Sequence, residues 1–251
     1  CSQSLEGTHM SSSRPFLKAK IDEVAANEKR FVVYAATADD DFADRFATRN
    51  VAVTHRILPD VGQNGFVVIR DQDGLQGVIG IATLREFLTP AVSLSKTAEI
   101  DTAEFRSFLT LLDDTLFRSM DRRQLILTSQ EIEDRAWRYG TGQLHVGFQS
   151  LTAFRTQLSK YRLLANRPQL SIHVYGRSDW IPPDHTGITV HSESNDEIGD
   201  VWFLVYDGGG EDNIKCALLA EQQGSNTYHG FWTYDPTTVD QIVAYLQQTY
   251  G

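Results

Sequence analysis

The sequence predicts an α/β protein, mixed α+β in character, made of two subdomains whose mixed sheets are flanked by helices. Two observations carry this. Segments with apolar residues at helical spacing alternate with short apolar runs of strand length along the chain. Near the C-terminus, three aromatic-rich runs are joined by glycine-rich turns, and an Asp-Pro step then opens a striped helix.

Leu17, Ile21 and Val24 repeat at helical spacing. Phe31-Val32-Val33-Tyr34-Ala35 is a short apolar strand. Asp39, Asp40 and Asp41 offer N-caps for a helix carrying Phe42 and Phe46. Residues 51–58 alternate like a half-buried strand. Residues 66–69 and 78–81 flank Asp71-Gln72-Asp73-Gly74, a hairpin turn signal. A short helix over 83–88 stops before Pro90. Together these form an N-terminal subdomain over 10–92. Residues 91–103, rich in Ser and Thr, read as the linker.

The larger subdomain spans 98–251. Phe105, Phe108, Leu109 and Leu112 share a helix face. A brief apolar run follows at 124–127. Thr128 and Glu131 then fit a capping box, heading a helix that carries Ile132, Ala136 and Tyr139 on one side and ends at Gly140 and Gly142. Residues 144–148 are strand-like. Leu151, Phe154, Leu158 and Tyr161 mark the next helix, and 170–175 the next strand. Pro182-Pro183 and residues 191–200 read as loops. Strands are expected over 201–206, 215–221 and 228–234, in antiparallel connection. Asp235-Pro236 caps a final helix whose buried stripe is Val239, Ile242, Val243 and Leu246.

Composition narrows the function classes. The chain has 251 residues and a net charge of −10, which argues against a broad nucleic-acid-binding face. No apolar stretch reaches the roughly 20 residues of a membrane-spanning helix. Residues 1–9 lack a charged start and an apolar core, so they read as a tag remnant ahead of Met10 rather than as a leader. Cys216 is then the remaining cysteine, a small core residue in a reducing, cytoplasmic setting. The 23 basic residues divide into 17 Arg and 6 Lys, and this acidic, Lys-poor balance points to a salt-adapted source.

The chemistry-bearing clusters are sparse. His185 and His191, with Asp184 and Glu193, lack the close paired spacing of a tight metal site. Ser178 has no base at a fixed offset and reads as a turn. In Asp207-Gly208-Gly209-Gly210-Glu211-Asp212 the flanking acids repel phosphate, which leaves a flexible strand connection. Glu131, Glu133 and Asp134, with Arg135 and Arg138, read as a solvated helix face. Trp202, Phe203, Tyr206, Tyr228, Phe231, Trp232 and Tyr234 crowd the last three strands, with Trp137, Tyr139 and Phe148 before them. Such density fills a core or lines a pocket for a planar ligand, and the sequence leaves both open.

Several blocks carry a family resemblance. Ile132-Glu133-Asp134-Arg135-Ala136-Trp137-Arg138 leads to Leu144-His145-Val146-Gly147-Phe148-Gln149-Ser150-Leu151. Then come His173-Val174-Tyr175-Gly176, Trp202-Phe203-Leu204-Val205-Tyr206-Asp207, Lys215-Cys216-Ala217-Leu218-Leu219-Ala220-Glu221, and Tyr228-His229-Gly230-Phe231-Trp232-Thr233-Tyr234-Asp235-Pro236. As an ordered set over 105–246 they resemble the DICT domain, a sensory family named for diguanylate cyclases and two-component systems. The wording of the blocks and the extra N-terminal unit resemble haloarchaeal members.

The resemblance implies a non-catalytic sensory role with no established catalytic residues and no carried-over cofactor. The expected signal is a small molecule or a partner protein. Output would pass to a signalling partner such as a kinase or a transcription regulator, or through a homodimer, with no direct nucleic-acid or membrane binding. Arg135, Trp137, His145, Trp202 and Trp232 are the candidate ligand-binding residues, with Arg135 as anchor for an acidic group. The alternatives are an interaction module without a small ligand, or an undescribed enzyme in which His145 and His173 are the residues to inspect.

Overall fold

A computed structural model of the chain describes residues 15–26, 29–37, 51–59, 65–71, 74–88, 117–194, 196–224 and 227–251. The tag remnant, the helices expected around Phe42 and Phe105, and the linker with its 92–98 boundary lie outside the described residues.

Helix α1 (Phe16–Ala26) buries Leu17, Ile21 and Val24, as their spacing requires. Four strands follow: β1 (Lys29–Ala35), β2 (Val51–Ile57), β3 (Phe66–Asp71) and β4 (Gly74–Gly80). They form a sheet ordered β2-β1-β3-β4, parallel between β1 and β2 and antiparallel elsewhere. Asp71 pairs with Gly74, closing the hairpin that the Asp-Gly signal predicts. Helix α2 (Ile81–Leu88) begins directly after β4.

The larger sheet has seven strands in the order β5-β11-β10-β9-β6-β7-β8. In chain order its elements are β5 (Phe117–Asp121), α3 (Arg122–Tyr139), β6 (Thr141–Ser150), α4 (Leu151–Arg155), α5 (Leu158–Leu164), β7 (Gln169–Arg177), β8 (Ile188–Glu193), α6 (Asp196–Asp200), β9 (Val201–Tyr206), β10 (Cys216–Gln222), β11 (Thr227–Thr233) and α7 (Pro236–Tyr250). Strands β6, β7 and β8 run parallel, and the remaining pairings are antiparallel.

Alternation along these strands sends side chains to two cores. Leu144, Val146, Ile172, Val174, Leu204 and Leu218 face α3, α4 and α5, in a cluster that also takes in Phe31, Val33, Val67 and Ile69 of the small sheet. Tyr175, Phe203, Val205, Leu219 and Phe231 face α6, α7 and α1. Helix α1 therefore packs on the large sheet, far along the chain from its own position. Asp235 caps α7 by accepting from the amides of Thr237 and Thr238, and Pro236 takes the first turn. The buried stripe of α7 is the predicted one.

Several local expectations are corrected. The capping box at Thr128 does not form, because α3 begins six residues earlier, at Arg122. The Thr128 hydroxyl instead donates to the Gln124 carbonyl, and the Ser129 hydroxyl to that of Leu125, the back-bonding of helix-interior hydroxyls. The single helix through Leu151 and Tyr161 is two, α4 and α5. Residues read as a loop at 191–200 contain the end of β8 and all of α6. Gly140, at φ +66°, ends α3 as its backbone freedom predicts, whereas Gly142 lies inside β6.

Candidate functional site

The first three turns of α3 cross one face of β6 and β9 and leave a cavity of about 130 Å³, closed on its far side by the start of α5. Ile126, Val146, Phe148 and Leu204 make it apolar, while Arg122, Gln130, Gln157 and Lys160 bring polar groups. Trp202 lines it from β9. The Trp202 ring meets Tyr228 edge-on at 6.2 Å, but its indole nitrogen is buried and has no hydrogen-bond partner. A buried donor left unmade costs about 1–3 kcal/mol, so such a group calls for an explanation.

Glu133 also lines this cavity, and it corrects the sequence reading. Glu131 and Glu133 are each only 5% exposed, not on a solvated face. Glu133 accepts from the Tyr161 hydroxyl at 2.5 Å and from the Lys160 ammonium. Burial, with the Glu133 charge beside it, pushes the Tyr161 hydroxyl well above its usual pKa, so it stays a donor. Glu131 meets Arg138 at 3.4 Å and Arg135 at 4.0 Å.

The opposite face of the sheet holds a second polar cluster. His145, His173 and His191 stand on the neighbouring strands β6, β7 and β8. The His145 and His173 rings stack at 4.6 Å, and Tyr175 stacks on His191 at 4.4 Å. His145 Nε2 donates to Gln143 Oε1, an oxygen that also accepts from Gln247, and its Nδ1 accepts from the Tyr175 hydroxyl at 2.9 Å. Burial, with His173 and His191 adding to it, lowers the His145 pKa to about 3. Among the described residues, no group of three or more His, Cys, Asp or Glu could hold a metal ion. No described helix is long and apolar enough to cross a membrane.

Residues 106–223 match a family model described as DICT, a sensory domain in diguanylate cyclases and two-component systems. This segment is a DICT domain. Its matched span ends at 223, short of the expected 246, so β11 and α7 lie beyond it. All residues lining the α3 cavity fall within the DICT domain, as do the three stacked histidines. Among curated proteins, none matches the chain. A crystal structure of polyphosphate kinase from Porphyromonas gingivalis aligns over 92% of this chain at 12% identity and a TM-score of 0.38. The chain spans about half of that structure's length (48%).

The DICT domain does not gather the five predicted ligand-binding residues in one place. Trp202 lines the cavity. Trp232 lies on β11 in the core of the same sheet face and is 3% exposed. Arg135 and Trp137 sit farther along α3, with the Arg135 guanidinium over the Tyr234 ring and the Arg167 guanidinium over the Trp137 ring. His145 belongs to the other face. Sequence reasoning missed Arg122, Glu133, Lys160 and Tyr161. The signal was present: extending the α3 stripe back from Ile132 and Ser129 to Leu125 starts the helix before Thr128 and turns Ile126 and Glu133 toward the sheet.

Proposed function

We propose that the chain is a non-catalytic sensory module whose DICT domain binds a small molecule in the cavity between α3, α5, β6 and β9. The observation that carries this is Trp202, which lines the cavity and whose indole N–H is buried without an acceptor. A ligand that supplies the acceptor would relieve that cost and favour one packing of α3 on the sheet. Output passes to a signalling partner, in the cytoplasmic, salt-adapted setting expected from composition. Of the sequence candidates, the proposal retains Trp202 as a direct contact and treats Arg135, Trp137, His145 and Trp232 as supporting structure.

A thermal-shift screen of small polar metabolites tests this with the wild type and Ile126→Trp. Ile126 is 37% exposed at the cavity, so a larger side chain there fills the space without invading the core. The proposal expects a compound that raises the melting temperature of the wild type and not of the variant. Stabilisers acting equally on both proteins would place the binding elsewhere.

A second reading, docking of a partner protein, draws on the small sheet. Leu75 and Val78 of β4 are 60% and 55% exposed, and Val78 sits across from Val68. Val78→Lys would then weaken a concentration-dependent assembly measured by light scattering. A monomer at every concentration would remove self-association from that reading.

A further inference from the structure

We infer that the cavity's ligand is a small organic acid, an apolar body of about six to ten heavy atoms bearing one carboxylate. The inference rests on the reading of the cavity as a ligand site.

Size sets the first limit. The cavity volume of about 130 Å³ is close to that of an apolar cavity able to hold one benzene ring, roughly 150 Å³. Ile126, Val146, Phe148 and Leu204 favour an apolar body over a fully hydroxylated one.

The hydrogen-bonding inventory sets the second. The Trp202 indole nitrogen can only donate, and it has no acceptor. Arg122, exposed at the same cavity, also carries donors alone. The Glu133 carboxylate on the same wall accepts from the Tyr161 hydroxyl and the Lys160 ammonium, not from Trp202 or Arg122. The Ser129 hydroxyl is turned to its own helix, toward the Leu125 carbonyl. Arg122 and Lys160 against Glu133 leave one positive charge on the lining. Unspent donors plus a net positive charge select an acceptor-bearing anion, and they disfavour an amine.

The test uses benzoate, its neutral isostere benzamide, and the wild-type protein labelled with ¹⁵N. The four tryptophans give four indole N–H signals, and the one absent from Trp202→Phe is assigned to Trp202. Benzoate is expected to shift that signal and to bind about tenfold tighter than benzamide, the difference of one charge-assisted hydrogen bond. Arg122→Gln, at an exposed position, is expected to remove most of that preference by weakening benzoate more than benzamide. Benzamide binding as tightly as benzoate would overturn the organic-acid assignment and leave the cavity as a ligand site. If neither compound moves the Trp202 signal, both the assignment and the ligand-site reading fail.

Discussion

His191 donates its Nδ1 proton to the backbone carbonyl of Tyr250 at 2.7 Å, fastening the edge strand β8 to the last turn of α7. Because a carbonyl can only accept, that nitrogen holds the proton, and Nε2 is left to accept from His173 Nδ1 at 3.2 Å. The chain His173 to His191 to Tyr250 therefore requires a neutral His191, since protonating its Nε2 removes the acceptor. With His145 it forms a run of neutral rings under α7, bordered by Tyr175, Gln143, Gln247, Glu193 and Asp207.

This cluster makes stability depend on pH. The His145 pKa falls from 6.5 to about 3, and burial lowers those of His173 and His191 as well. The unfolded chain takes up these protons first on acidification. Stability is thus full above about pH 6.5 and is lost as pH drops toward 3. For buried His145 the slope approaches about 1.4 kcal/mol per pH unit around pH 5. Urea melts between pH 7 and pH 4.5 should show the loss, and His145→Phe should flatten it. An unchanged slope in that variant would remove His145 from the account.

Glu197 joins three elements. Its carboxylate accepts from the Leu17 amide at 2.7 Å, the Tyr245 hydroxyl at 2.5 Å and the Tyr250 hydroxyl at 2.8 Å. Glu197→Ala takes this shared acceptor away from all three donors, and the group itself is only 5% exposed. The expected loss is about 2–4 kcal/mol in chemical denaturation, with faster hydrogen exchange in both α1 and α7. Exchange rising in α7 alone would show that α1 does not depend on this carboxylate.

Close packing leaves no room for a side chain at Gly147, where a Cβ would lie 2.2 Å from the ring of buried Phe203. Gly147→Ala should cost about 3 kcal/mol or more, measured by thermal melting. Adding Phe203→Leu should return part of it. A neutral Gly147→Ala would mean that β6 and the Phe203 ring can part freely.

Much of the fold was legible because its elements obey local rules. The stripes of α1 and α7, the Asp235 cap, the Asp71-Gly74 hairpin and the β9–β11 meander all follow from spacing and turn chemistry. Strand β8 was not legible, since β7 reaches it in parallel through the Pro182-Pro183 loop rather than a helix. That crossing is held by Trp180, whose ring packs against Phe154 and under Arg155. The site was half legible. Trp202 stood out as an aromatic, but Glu133 looked solvated because its partners, Lys160 and Tyr161, lie on another helix. His145 and Trp202 both lie in the family-like blocks, yet strand alternation sends His145 through the sheet to the other side.

Glu133 offers a direct check on the cavity floor. Glu133→Gln keeps an acceptor for Tyr161 and loses the charge facing Lys160. Because the Lys160 side chain is 37% exposed, the expected cost is modest, about 1–2 kcal/mol by urea denaturation. Binding of an anionic ligand should tighten in this variant, as calorimetry would show. Weaker binding would mean that the carboxylate itself contacts the ligand.

The most direct test of the sensory reading is native mass spectrometry of the wild type and Ile126→Trp after equilibration with a small-molecule extract. A mass that stays with the folded wild type, leaves on denaturation and is absent from the variant is the predicted result. Equal retention by both proteins, or none by the wild type, would contradict a ligand site between α3 and the large sheet.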